Sequence, residues 1–262
     1  MCHGLGHINE RAKVVEDKSP FLREIQSLPS IREYNGADQL ACLVLSSNSI
    51  KPAGCADLVW LIQSHFQSLR TLSLSQCELG CAGAKSIAKL LALKNIPILE
   101  LDVSNNGLGD EGTAVVCDAA ADSETLAVLN ISKNGIGRGG IAGLSRLLSN
   151  SATLRSLDVS WNNIRGDAAH LLCNGISQSM TLINLNLAWN GLGEANGCNA
   201  LHDALKWSNV LKTIDLSENR VAYTGACILA KVPSRAFQFV LVYLAQLKNQ
   251  ALGAYHLVGG AL

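Results

Sequence analysis

Charge of a prevailing sign is the first thing missing from this sequence. Its 262 residues carry 21 basic and 21 acidic side chains, a formal net charge of zero. Nothing there gathers a polyanion, so nucleic acid and acidic membrane surfaces are not expected partners. Long apolar runs are also missing: no stretch approaches the about 18 consecutive apolar residues of a spanning helix. The opening MCHGLGHINERAK contains no apolar signal-peptide core, which points to the cytoplasm. Aromatic residues are only 5% of the chain against 48% hydrophobic residues overall, so aliphatic side chains must carry the packing. Marks of catalysis are absent as well. No P-loop occurs, and no local motif singles out a Ser or Cys nucleophile. His65, His170, His202 and His256 are scattered, and Cys2, His3 and His7 lack any standard zinc spacing. The expectation is a non-enzyme with no catalytic residues, cofactor, metal or small-molecule substrate.

What the sequence has in abundance is repetition. The pattern L-x-x-L-x-L-x-x-N-x-L returns seven times, with its Asn slot at Asn48, Cys77, Asn106, Asn134, Asn162, Asn190 and Asn219. Successive intervals are 29, 29, 28, 28, 28 and 29 residues. So regular a period marks a solenoid, in which each unit is too small to bury its own apolar face and stacking supplies one shared core.

Within each unit the apolar positions first alternate, as at Leu101-Val103 and Leu157-Val159, which suits a strand with one buried face. Two residues past the Asn slot another apolar residue follows (Ile50, Leu79, Leu108, Ile136, Ile164, Leu192, Val221). A glycine four positions later, at Gly54, Gly83, Gly112, Gly140 and Gly225, suits a tight loop feeding a helix. The apolar period then changes to 3.6, as in Ile87-Leu90-Leu91, Ile141-Leu144-Leu147-Leu148 and Leu171-Leu172-Ile176. Each unit reads strand, turn, helix, turn. The Asn amide is placed to satisfy backbone groups where the chain leaves the sheet, with Cys77 as the small substitute.

A 28/29-residue unit with a full helix resembles the ribonuclease-inhibitor class of leucine-rich repeats, over roughly residues 40–232. The resemblance implies an α/β solenoid, a right-handed horseshoe of about seven β-α units with parallel strands on the concave face and helices outside. Similar repeats occur in ribonuclease inhibitor, nucleotide-sensing immune receptors, the GTPase activator for Ran and many ciliary axoneme proteins. The class fixes the fold far better than the function.

Two features tempt other readings. The chain has nine cysteines, but Cys55, Cys117, Cys173, Cys198 and Cys227 follow the repeat register. Core positions follow that register and disulfides do not, so reduced structural thiols in a reducing compartment are expected. Gly135-Ile136-Gly137-Arg138-Gly139-Gly140 matches the dinucleotide fingerprint G-x-G-x-x-G, with Asp158 at a suitable distance. Yet Asn106-Gly107-Leu108-Gly109 and Asn190-Gly191-Leu192-Gly193 show the same glycines in other repeats, so they belong to the repeat's own turn.

Residues one period apart stack about 4.8 Å from each other on parallel strands, so the units form a grid. The column between the two core positions of each strand runs Val44, Ser73, Asp102, Asn130, Asp158, Asn186, Asp215. The column just before the Asn slot runs Ser47, Gln76, Asn105, Lys133, Trp161, Trp189, Glu218. Two tryptophans therefore adjoin each other beside an acidic column. Trp is enriched at binding hot spots, although a cross-strand Trp pair also serves to shield a turn. The candidate partner-binding residues are Trp161, Trp189, Asp158, Asn186, Asp215, Glu218, Lys133 and Asp102.

Residues 1–39 form an extension and cap, with Ser19-Pro20 starting a helix that carries Phe21, Ile25 and Leu28. Residues 40–232 are the repeat domain. Residues 233–262 are a C-terminal cap with a decayed eighth unit at Leu241, Leu244 and Asn249; its apolar end, GAYHLVGGAL, is otherwise an interface. The expected function is a protein-protein interaction scaffold within a larger intracellular assembly such as a ciliary axoneme complex. The alternatives are a small-GTPase regulator of the Ran-activator type and an inhibitor of a partner enzyme.

Overall fold

The computed structural model describes residues 40–232 and, beyond them, the strand residues 241–243. Strands and helices alternate in strict order: β1 (Cys42–Val44), α1 (Lys51–His65), β2 (Thr71–Ser73), α2 (Gly80–Leu91), β3 (Glu100–Asp102), α3 (Gly109–Ala121), β4 (Val128–Asn130), α4 (Arg138–Asn150), β5 (Ser156–Asp158), α5 (Asp167–Gln178), β6 (Asn184–Asn186), α6 (Ala195–Trp207), β7 (Thr213–Asp215), α7 (Tyr223–Leu229) and β8 (Leu241–Tyr243). The strands form one parallel sheet in sequence order. Leu43, Leu72, Leu101, Leu129, Leu157, Leu185 and Ile214 pair in a single register. Each helix packs on the helices adjacent to it in sequence. Helices are about 10 Å across while strands lie about 4.8 Å apart, so the stack curves with its strands on the inner face.

The apolar frame read from the pattern is the core: from β2 to β7 both strand positions are buried, and so is the residue two past the Asn slot through Leu192. The asparagines form a ladder. Asn134 Oδ1 accepts the N–H groups of Asn106 and Leu108 at 3.0 and 3.3 Å, and its Nδ2 donates to the carbonyls of Val103, Ile131 and Ser132 at 3.0–3.1 Å. From Asn106 to Asn219 each amide thus ties its own turn to the preceding repeat, donating to a carbonyl there. Cys77 keeps part of this role, its Sγ donating to Leu45 O at 3.1 Å. Asn48 donates only within its own turn and is exposed.

Three expectations need correction. The glycines at Gly54, Gly83, Gly112, Gly140 and Gly225 lie inside the first helical turns, not in the loops before them. Close packing explains them. A Cβ on Gly112 would lie 3.1 Å from Ala84 Cβ, and one on Gly140 would lie 2.9 Å from Ile136 Cγ2. Leu171 is exposed while Leu172 and Ile176 beside it are buried, because a 3.6 period allows only part of a helix to face the sheet. In β8, Val242 stands opposite Ile214, where the reading from Asn249 had placed Leu244. A 28-residue step matches the interval of the other units. Leu244, Asn249 and GAYHLVGGAL, the helix expected after Ser19, and the Cys2-His3-His7 group all lie outside the described residues.

Candidate protein-binding face

The strand face is built from short strands and the sharp turns that end them. In every unit the residue before the Asn slot takes a left-handed backbone, with φ of 62° at Ser47, 58° at Gln76, 54° at Asn105, 55° at Lys133, 56° at Trp161, 57° at Trp189 and 59° at Glu218. From Ser47 to Trp189 its N–H donates across the stack to the next unit: Trp161 to Ala188 O and Trp189 to Ser217 O, both at 2.9 Å. That interstrand bond fixes the conformation whatever the side chain. A residue with a Cβ pays about 1 kcal/mol for it, and Asn tolerates it better than Trp. The pattern gives no warning of this, because glycine, the usual marker of positive φ, occupies none of these seven positions.

At Trp161 and Trp189 the shared conformation brings the two indoles face to face, with ring centroids 4.0 Å apart and an interplanar angle of 12°. Lys133 closes the near side, its Nζ 4.8 Å from the Trp161 ring, a cation–π distance. The indoles remain 46% and 45% exposed. Glu218 follows in the same column, half-buried.

The neighbouring column is tied to the backbone. Asp102, Asp158 and Asp215 accept the N–H two residues ahead, from Ser104, Ser160 and Ser217, at 2.8–2.9 Å. Asn130 and Asn186 do the same for Ser132 and Ala188 at 3.0 Å. Asn186 Nδ2 also donates to Asp158 Oδ2 at 2.9 Å. The sheet therefore gathers all eight expected site residues into two adjacent columns. Val44, 61% exposed, and Val128 extend the face as apolar surface; Val128 escaped notice because it lies one position outside the columns followed in the sequence.

The helical face differs in kind. Exposed ion pairs link successive helices: Lys85–Glu111 at 2.7 Å, Arg146–Asp118 at 2.8 Å and Arg138–Asp167 at 3.1 Å, with Lys94–Glu124 between the loops that follow α2 and α3. Such pairs contribute little singly, but they place acid against base across neighbouring repeats.

The G-x-G-x-x-G segment is closed by a side chain. Asp110, from the preceding repeat, accepts the N–H of Gly137 at 2.7 Å through Oδ1 and that of Gly139 at 3.0 Å through Oδ2. An amide cradle at a helix start suits a phosphate, and here a carboxylate fills it. Of the cysteines, Cys55, Cys77, Cys117, Cys173 and Cys198 are buried and free. Burial pushes the thiols of Cys55 and Cys173 up to about 12, and that of Cys117 upward as well. Such thiols stay protonated and unreactive. Among the described residues no cluster of His, Cys, Asp and Glu is arranged to hold a metal, and no helix is long and apolar enough to cross a membrane.

Comparisons with known proteins agree with this architecture. The family model described as Leucine Rich repeat matches residues 65–88, 94–117 and 150–173. The chain is similar to the mouse (Mus musculus) NACHT, LRR and PYD domains-containing protein 12, at 32% identity over 45% of this chain and 11% of that protein. It is also similar to the pig (Sus scrofa) ribonuclease inhibitor, at 34% identity over 29% of this chain and 17% of the inhibitor. The matched stretches thus span between a tenth and a fifth of these relatives. Among solved structures, the tropomodulin C-terminal domain from Caenorhabditis elegans shares the fold, with a TM-score of 0.50 and 15% identity over 58% of this chain and 92% of that one. Repeat interval, asparagine ladder, parallel strand order and these likenesses converge: the chain carries leucine-rich repeats folded as an α/β solenoid, similar to the ribonuclease-inhibitor type.

Proposed function

We propose that the chain is a non-catalytic scaffold that holds another protein on its strand face, with Trp161 and Trp189 central. The exposed indole pair carries this reading. Five other repeats make the same left-handed turn with Ser, Gln, Asn, Lys or Glu, so the turn does not require tryptophan. Large aromatics held rigidly at the surface are the usual anchors of protein interfaces. Lys133, Asp102, Asp158, Asn186, Asp215 and Glu218 surround them as polar contacts. Leucine-rich repeat proteins are generally interaction scaffolds.

The finer setting we propose is a subunit of an intracellular assembly, a ciliary axoneme complex being the specific case, on the strength of repeat resemblance alone. A second reading, inhibition of a partner enzyme, is favoured by the likeness to ribonuclease inhibitor and uses the same face.

Cross-linking mass spectrometry on the endogenous protein, beside a Trp161→Ala/Trp189→Ala version, tests the reading. Far-ultraviolet circular dichroism first verifies that the variant is folded. Stoichiometric partners lost in the variant support a strand-face scaffold. Partners that survive unchanged overturn the role of the indoles.

A further inference from the structure

The strand face carries more than the fold demands, and the surplus has one chemical character. In the Asp102–Asp215 column the turn needs only an oxygen to accept the N–H two residues on. Asn130 and Asn186 supply it as well as Asp102, Asp158 and Asp215 do. The negative charges are therefore not required by the turn. Asp and Asn alternate from strand to strand, which keeps like charges from facing each other directly. Asp158 is further steadied by Asn186 Nδ2. The second oxygens of Asp102 and Asp215 accept no hydrogen bond from any described residue.

The columns just before the first core position, between the two core positions and just before the Asn slot hold Glu100, Asp102, Asp158, Asp215 and Glu218 against Lys133. Arg70, Arg155 and Lys212 stand one column farther out, where Arg70 and Arg155 donate to the carbonyls of Ser68 and Thr181. The acidic excess lies on a chain whose total charge is zero, and the helical side carries ion pairs between successive repeats. The indole stack adjoins that negative rail, and Lys133 shows that its ring faces accept a cation.

We infer that the occupant of this face is a cationic, extended segment of a partner protein, with arginine against the Trp161–Trp189 pair and the carboxylates of Asp158 and Asp215. This rests on the scaffold reading and adds the partner's chemistry to it. Arginine fits both features at once, because its planar guanidinium stacks on an indole and its fork pairs with a carboxylate.

Isothermal titration of the full chain with a short peptide of alternating Arg and Gly, at physiological ionic strength, tests the inference. Binding is expected, and a peptide of alternating Glu and Gly is expected not to bind. Asp215→Asn keeps the turn acceptor and removes only charge. It and Trp161→Ala/Trp189→Ala should each weaken binding by about fivefold or more. Asp118→Asn, the same charge change on the helical face, should leave affinity unaltered. Loss on Asp118→Asn equal to that on Asp215→Asn would reduce the effect to bulk charge and overturn the inference, as would no binding of the Arg peptide. A natural partner cross-linked to the strand face through a neutral or acidic segment would also overturn it, while leaving the scaffold reading intact.

Discussion

Asp110 Oδ1 sits 2.7 Å from the amide nitrogen of Gly137, so a side chain of one repeat closes the helix start of the next. The contact combines a charge-assisted hydrogen bond with the favourable end of a helix dipole. It also explains why the neighbouring helix begins with glycines: a Cβ on Gly139 would lie 2.7 Å from Asp110 Oδ2.

Asp110→Ala should therefore destabilise the protein by about 1–2 kcal/mol, since it strips acceptors from two amides and removes a charge from a helix N-terminus. Asp110→Asn, which retains one acceptor, should cost less. Urea unfolding followed by circular dichroism distinguishes the two, and equal stability of all three proteins would contradict the closure.

The asparagine ladder predicts a steep gradient along the array. Asn134 is 2% exposed and makes five hydrogen bonds. Asn134→Ala should cost about 3 kcal/mol or more, because several buried backbone groups lose their partners at once. Asn48→Ala, at an exposed rung bonded only within its own turn, should cost under about 1 kcal/mol. Thermal unfolding of both variants under one set of conditions checks the contrast.

Much of this was legible beforehand, and the reason lies in what periodicity encodes. Leu101, Leu129 and Leu157 were placed correctly because burial recurs with the interval. Asn106 and Asn134 were placed correctly because a buried amide has few possible roles. The left-handed backbone at Trp161 was not legible, since an interstrand N–H bond imposes it. Gly112 was misassigned to a loop because a glycine that permits close packing is indistinguishable in sequence from one that permits a turn. Asp110 escaped because its partners are amides, which the sequence does not display.

Trp161→Asn should change stability by less than about 1 kcal/mol. It forfeits the ring stacking but relieves a costly backbone conformation that Asn105 already adopts. The stacked indoles should produce an exciton couplet in circular dichroism that vanishes in this variant. A loss of several kcal/mol would show the pair to be structural.

The buried thiols set an alkaline limit. Cys55 and Cys173 ionise near 9 when unfolded and are pushed up to about 12 in the fold by burial. Above pH 9 the unfolded chain releases protons that the folded chain retains, so stability falls as pH rises from 9 toward 12. The slope is about 1.4 kcal/mol per pH unit for each thiol. Denaturant titrations between pH 8 and 11 test the sign. At neutral pH a thiol reagent should label exposed Cys42 well before Cys55, Cys117 or Cys173.

The left-handed position before each Asn slot has an evolutionary consequence. Because the main chain there is held by the neighbouring repeat, the side chain is a free variable in a fixed socket. Ser, Gln, Asn, Lys and Trp already occupy six such sockets in one molecule. A lineage can therefore exchange one ligand for another by rewriting a single row of letters, without disturbing a leucine of the interior.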